Sequence, residues 1–86
     1  MYQVIISRTA EKQLESLPKY IANTITQKIE ALGGAPRPPG CKQLHGIENT
    51  YRLKAGDYRV VYTIQDKKLL IEVIRIGNRN DVYRKK

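Results

Sequence analysis

Apolar and polar positions along the first third of the chain follow two different periods. Residues 2–7 form a short run rich in β-branched side chains, which predicts a strand. Apolar residues then recur at helical spacing over residues 10–17 and again over residues 21–32. Thr9 stands where an N-cap would begin the first of these helices. We expect two short amphipathic helices that form a hairpin and bury their apolar stripes against a sheet.

From residue 50 onward the period changes to two, as expected for half-buried strands. The alternation predicts three strands, at residues 51–54, 58–64 and 69–76. Residues 55–57 and 65–68 carry the glycine, aspartate and lysine residues of two turns between them. Tyr58 and the residues that alternate with it are expected on the face that the helices cover.

Residues 35–40 hold three prolines and cannot continue a helix or enter a central strand, so they predict a loop. The resulting order is β-α-α-β-β-β. This order predicts an α+β fold with an N-terminal helical hairpin on one face of a small antiparallel sheet. At 86 residues the chain has room for one domain, residues 1–86.

Composition excludes several classes of site. A single cysteine, Cys41, allows no internal disulfide, and with one histidine, His45, a metal site would need a carboxylate cluster that the sequence lacks. We therefore expect neither a metal nor a cofactor. No apolar run approaches the length of a membrane span, and the N-terminus shows no signal pattern. The sequence predicts a cytoplasmic, soluble protein.

Charge is distributed unevenly along the chain. Residues 1–35 hold four basic and three acidic side chains, a net of +1, whereas residues 36–86 hold twelve basic and five acidic ones, a net of +7. Such an asymmetry indicates a polyanionic partner for the C-terminal part, although solubility also accounts for net charge.

The predicted strands bring several of these cations together. Arg52 and Lys54 are two residues apart and project from one face of a strand, and the following turn returns Arg59 beside them. Arg79 follows the last strand, and Tyr83 comes four residues later. Like charges side by side on a sheet are destabilising, so the pattern favours a phosphate-binding face over a merely solvated one.

At these positions the sequence resembles a known family. The segments Tyr51-Arg52-Leu53-Lys54, Gly56-Asp57-Tyr58-Arg59-Val60-Val61-Tyr62, Val73-Ile74-Arg75-Ile76-Gly77-Asn78-Arg79 and Val82-Tyr83 are similar to those of RelE toxins from bacterial toxin–antitoxin pairs. The similarity extends upstream through the proline loop and helical hairpin, and so covers nearly the whole chain. The second segment is typical of the RelE/ParE superfamily. The basic residues around it favour the RNA-cleaving branch.

The resemblance implies a ribosome-dependent endoribonuclease that cuts messenger RNA and so inhibits translation. It also implies a cognate antitoxin as partner, a small RelB-like protein, acidic or partly disordered, with which the toxin forms a hetero-oligomer. The catalytic residues it implies are Arg52, Lys54, Arg59, Arg79 and Tyr83. RNA phosphate would be bound by Arg52, Lys54, Arg59 and Arg79, with Arg84 in the basic tail adding attraction.

The chemistry of the side chains agrees with these roles. Cleavage through a 2′-hydroxyl needs charge stabilisation at phosphorus and two proton transfers. Arginine forks suit phosphate, whereas Lys54 is the best proton-transfer candidate because a lysine can change its protonation state. Tyr83 would orient or deprotonate the hydroxyl, or stack on a base.

Two departures from the family pattern stand out. Arg52 takes a position where relatives often carry lysine, and an arginine does not readily transfer a proton. Residues 80–82 form a short, weakly basic segment, and the sequence after Tyr83 leaves no room for the C-terminal helix of several relatives. The first departure bears on proton transfer, and the short segment bears on activity and on the position of Tyr83.

Two other functions fit the same residues. A ParE-like inhibitor of DNA gyrase would share the fold without nuclease activity, and a noncatalytic RNA- or ribosome-binding module would use the same cations. His45 is the rival catalytic group, but its place between Leu44 and Gly46 predicts a turn residue outside the basic strands.

Overall fold

The computed structural model describes residues 1–78. Two helices and five strands alternate in the order β1-α1-α2-β2-β3-β4-β5. The strands are β1 (Gln3–Ile6), β2 (Lys42–Gln43), β3 (Thr50–Ala55), β4 (Tyr58–Gln65) and β5 (Leu70–Asn78), and the helices are α1 (Arg8–Glu15) and α2 (Lys19–Ala31). The α+β class and the β-α-α-β-β-β order are confirmed, with the two-residue strand β2 as an addition. No helix within residues 1–78 has the length and apolar character needed to cross a membrane.

Local sequence signals set the limits of the two helices. Ser7, two residues before the expected Thr9, is the N-cap of α1, and its Oγ accepts a hydrogen bond from the Ala10 amide at 3.1 Å. Pro18 is the N-cap of α2 and separates the two helices. Gly33 follows α2, and its carbonyl accepts a hydrogen bond from the Tyr2 amide at 2.9 Å. A Cβ on Gly33 would lie 3.1 Å from the Tyr2 carbonyl oxygen, so this close approach favours glycine.

The sheet is mixed, which corrects the expectation of a purely antiparallel sheet. Its strand order is β1-β5-β4-β3-β2, and β1 pairs in parallel with β5, from Gln3 opposite Leu70 to Ile6 opposite Val73. The other neighbours pair antiparallel. The chain leaves β1, crosses one face of the sheet as the helical hairpin and re-enters at the far edge. This path leaves β1 beside β5, so the apolar strand β5 is interior to the sheet.

Both helices cover the same face of the sheet. The face is lined by alternating apolar residues of the strands, and α2 contributes Ile25 and Ile29 from the other side. Val60, Tyr62, Ile71 and Val73 are all 0% exposed. The main apolar cluster lies on this face, and the side chains that point the other way lie on a face that α1 and α2 do not cover.

Candidate nucleic-acid interface

Three of the cations predicted from sequence lie on the helix-free face. Arg52 and Lys54 lie on β3, where they alternate with the core residues Leu53 and Ala55. Lys54 is directly opposite Arg59 of β4 in the antiparallel register. Residues paired in this way have Cβ atoms about 4.5–5.5 Å apart. The hairpin therefore brings these three positive charges together.

Arg59 is held more firmly than a solvated surface arginine. It is only 9% exposed, and its Nη1 donates hydrogen bonds to the carbonyl oxygens of Gly56 at 3.2 Å and Tyr58 at 3.1 Å. Both of these contacts are made by one nitrogen, Nη1. The turn therefore holds the guanidinium of Arg59 in place, and a guanidinium has a geometry that suits phosphate.

Two further cations lie on this face that sequence reasoning missed. Lys42 of β2 is opposite Arg52, and Arg75 of β5 is opposite Val61 of β4. A strand of two residues leaves no alternating pattern, so Lys42 had no usable signal. The consecutive apolar residues Val73 and Ile74 interrupt the alternation of β5, but such a run does not show on which face Arg75 lies.

These residues form two rows across the sheet. One row runs Lys42, Arg52, Val61 and Arg75, and the next runs Lys54, Arg59 and Gly77. We call the five basic residues together the cationic face: Lys42, Arg52, Lys54, Arg59 and Arg75.

The acidic residue Glu72 lies on the helix-free face, in the row next to that of Arg75. Its partners across the sheet are Thr63 on β4 and Ile5 on β1, one row beyond Arg75. The cationic face itself contains no carboxylate from β2 to β5 within the described residues. Like charges on neighbouring strands are destabilising unless an anion lies between them, so this arrangement suits a bound polyanion.

The remaining predicted site residues, Arg79, Tyr83 and Arg84, lie outside the described residues 1–78. The last described residue, Asn78, pairs with Tyr58 at the hairpin end of the sheet. Arg79 is the next residue in sequence.

His45 lies apart from the two rows of cations. It is exposed in the loop between β2 and β3, where residues Gln43–Glu48 surround a cavity of about 500 Å³. The cationic residues of the sheet do not line this cavity. Nor do residues 1–78 contain a cluster of three or more His, Cys, Asp or Glu side chains that could hold a metal ion. The charge stabilisation that the described site offers is therefore that of lysine and arginine.

A separate network of hydrogen bonds and one salt bridge lies on the opposite, helix-covered side of the sheet. Arg37 forms a salt bridge with Asp66 at 2.9 Å, and the Tyr2 hydroxyl donates a hydrogen bond to the same carboxylate at 2.6 Å. The hydrogen bonds from Arg37 and then Tyr2 lower the pKa of Asp66, and the bond to Asp66 raises the pKa of Tyr2. The Arg37 Nε also donates to the Tyr51 hydroxyl at 3.1 Å.

Tyr62 completes this network. Burial raises the pKa of its phenol, so the hydroxyl keeps its proton and donates to the Pro36 carbonyl at 2.9 Å. Its ring stacks on Tyr51 at a centroid distance of 6.0 Å. Together these contacts anchor the proline loop to the sheet, so the perturbed pKa values here reflect architecture and not the cationic face.

Comparison with known proteins decides the family. The family model for the ParE toxin of the type II toxin–antitoxin system, parDE, matches residues 4–83. A putative RelE-like toxin protein of Escherichia coli is 35% identical over 86 residues, which cover 95% of this chain and 90% of the relative. The chain belongs to the RelE/ParE superfamily of toxins.

Other relatives place it as a RelE-type toxin. Toxin RelE of Mycobacterium tuberculosis is 34% identical over 84 residues, covering 96% of this chain and 87% of the relative. The structure is similar to that of the archaeal RelE–RelB complex from Pyrococcus horikoshii, with a TM-score of 0.82 and 29% identity over 94% of this chain and 98% of that one. This RelE-type toxin thus shares both its sequence pattern and its fold with these relatives.

Proposed function

We propose that this RelE-type toxin is an endoribonuclease that cuts messenger RNA on the ribosome and thereby stops translation. The observation that carries the proposal is the paired register of Lys54 and Arg59 within two rows of cations on a helix-free face. A concentration of positive charge suits a reaction in which negative charge builds up on a phosphate.

The reaction proposed is attack of the RNA 2′-hydroxyl on the adjacent phosphorus. The 2′-hydroxyl gives up its proton and its oxygen forms a bond to phosphorus, while the bond from phosphorus to the 5′-oxygen breaks and that oxygen takes up a proton. Arg59 and Arg52 would stabilise the charge on the phosphate oxygens. Lys54, opposite Arg59, would transfer a proton. Arg79 and Tyr83 are proposed to complete the site, and no metal or cofactor takes part.

The products of cleavage test this mechanism. Attack by the 2′-hydroxyl leaves a 2′,3′-cyclic phosphate or 3′-phosphate on one fragment and a 5′-hydroxyl on the other. We expect messenger RNA cut by the purified toxin on programmed ribosomes to carry these ends, as determined by phosphatase and kinase treatment before gel analysis. Fragments with 5′-phosphate ends would exclude the mechanism, because water and not the 2′-hydroxyl would then be the nucleophile.

We further propose that an antitoxin holds the toxin inactive. Residues 36–86 carry a net charge of +7, since they hold twelve basic and five acidic side chains, and an acidic chain would complement that charge. The RelE proteins of Pyrococcus horikoshii and Escherichia coli have been crystallised with RelB. Co-expression with the product of an adjacent small reading frame should give a complex that co-purifies. Failure to form any complex at low salt would contradict this partner.

A ParE-like function is the second candidate, because the matching family model is named for the ParE toxin. Inhibition of DNA gyrase would produce DNA breaks and an SOS response before any loss of protein synthesis. An mRNA endonuclease would stop incorporation of labelled amino acids first. Time courses of both signals after induction separate the two functions.

A further inference from the structure

Strand β5 changes face part-way along its length. Val61 pairs with Arg75, but the next residue of β4, Tyr62, pairs with Val73, so Ile74 is an extra residue on β5. This is a β-bulge, in which two residues of one strand lie opposite one of the other. Because side chains alternate with a period of two, one extra residue moves all the following side chains to the opposite faces.

The bulge decides where Arg75 points. Continued alternation from the buried residues Ile71 and Val73 would direct Arg75 into the core. With the bulge, Ile76 is buried instead at 1% exposure, and Arg75 is an exposed residue of the helix-free face, in the same row as Arg52. Arg75 makes no hydrogen bond or ion pair with the other described residues. Contacts within the described part of the fold therefore do not explain why this position carries an arginine.

Helix α1 and its N-cap hold the bulge from the outer edge of β5. Pairing between β1 and β5 ends with Ile6 opposite Val73. Beyond that point the Ser7 amide donates to the Val73 carbonyl at 2.9 Å, and the Ser7 Oγ donates to the Ile74 carbonyl at 3.3 Å. The Ile76 amide then donates to Oε1 of Gln13 at 2.6 Å.

Gln13 therefore takes the place of a neighbouring strand. Its side-chain oxygen accepts the backbone hydrogen bond that β1 is too short to accept, immediately after Arg75. The residue is half-buried in α1, which packs against β5. Loss of this acceptor would leave the Ile76 amide unpaired and would favour a shifted register or a frayed strand end.

We propose that Arg75 is a further phosphate-binding residue of the cationic face and that Gln13 is its positioning residue. The proposal deepens the proposed function and rests on it, in that the anion is the phosphate backbone of single-stranded RNA. Arg75 extends the row that contains Arg52 toward β1, so it would bind a phosphate next to the one that Arg59 and Lys54 hold.

Binding measurements test Arg75 without requiring cleavage. The probe is a fluorescent single-stranded RNA whose 2′-hydroxyls are methylated, titrated from about 50 mM to 1 M salt. Loss of one phosphate contact lowers the salt slope of log K by about 0.7 and weakens binding roughly fivefold to tenfold at 50 mM. We expect Arg75→Ala to show both effects. Arg8→Ala removes the same charge from an exposed position on α1 and should leave the slope nearly unchanged.

Variants of Gln13 test the positioning role. Gln13→Met removes the acceptor but keeps the length of the side chain, so it should lower the salt slope as Arg75→Ala does, although Arg75 is present. Gln13→Glu restores an oxygen at the same position and should restore both the slope and slow amide exchange at Ile76. A double variant of Arg75→Ala with Gln13→Met should be no weaker than Arg75→Ala alone.

The outcomes separate this inference from the proposed function. Wild-type binding and slope in Arg75→Ala would overturn the role of Arg75, whether or not the toxin cleaves RNA. Normal RNA binding in Gln13→Met, together with a lower urea midpoint, would show that Gln13 only stabilises the fold. If Arg75→Ala weakens binding while wild-type toxin leaves messenger RNA intact on ribosomes, the phosphate site stands and the nuclease proposal fails.

Discussion

Replacement of Arg59 by alanine is expected to reduce the single-turnover rate of messenger RNA cleavage by about 10²–10³-fold, the loss typical of removing one preorganised donor to a developing oxyanion. The expectation rests on the fixed position of the guanidinium. Its Nη1 is bound to the carbonyls of Gly56 and Tyr58, so it needs little reorganisation when charge develops on the phosphate. Rates measured with saturating toxin on programmed ribosomes report this step directly.

Three controls separate chemistry from folding in that experiment. Arg59→Ala also removes hydrogen bonds to two turn carbonyls, so its urea midpoint must be measured beside its rate. Arg59→Lys keeps the charge but not the fork and should give an intermediate rate. His45→Ala should cleave at the wild-type rate, since His45 lies in the loop between β2 and β3 and outside the two rows of cations. A folded Arg59→Ala variant with wild-type rate would remove the cationic face as the active site.

Cleavage of free RNA should be slower than cleavage of ribosome-bound messenger RNA by several orders of magnitude. The cationic face supplies positive charge but few groups suited to proton transfer. We assign that transfer to Lys54. A site with few acid–base groups depends strongly on a substrate held in attack geometry. Such orientation contributes roughly 7–11 kcal/mol to lowering a barrier. We expect the ribosome to supply it by fixing the messenger in the A site.

The comparison uses one RNA sequence in two states. The same messenger is offered to purified toxin either free or in programmed ribosomes with a vacant A site, under identical salt and pH. Ribosomes whose A site is filled by a tRNA provide the matched control and should protect the messenger. Equal single-turnover rates on free and bound RNA would contradict the ribosome requirement and would point to a general ribonuclease.

Much of the interface could be predicted from short-range spacing. Arg52 and Lys54 share a face because strand side chains alternate, and the Gly56-Asp57 turn returns Arg59 to the same face. The helix limits were predicted to within a few residues, although Ser7 and not the expected Thr9 is the N-cap of α1. Each of these features depends on neighbours only a few positions away in sequence.

Lys42 and Arg75 could not be predicted in the same way. The strand that carries Lys42 has two residues, and its existence depends on pairing with Tyr51 and Arg52 across a loop. The orientation of Arg75 depends on the extra residue Ile74, and that bulge is held by Ser7 and Gln13, more than sixty positions earlier in the chain. No local pattern specifies contacts of such long range.

The sequence by itself determined the class of fold, the order of its elements and the pairing of Lys54 with Arg59 around a tight turn, because periodicity and turn chemistry act locally. Only the tertiary structure decided that β1 pairs in parallel with β5 and that Arg75 faces outward with the other cations. Strand partners and register are chosen by which apolar surfaces the assembled helices and strands bury together, and this choice is made by the whole core.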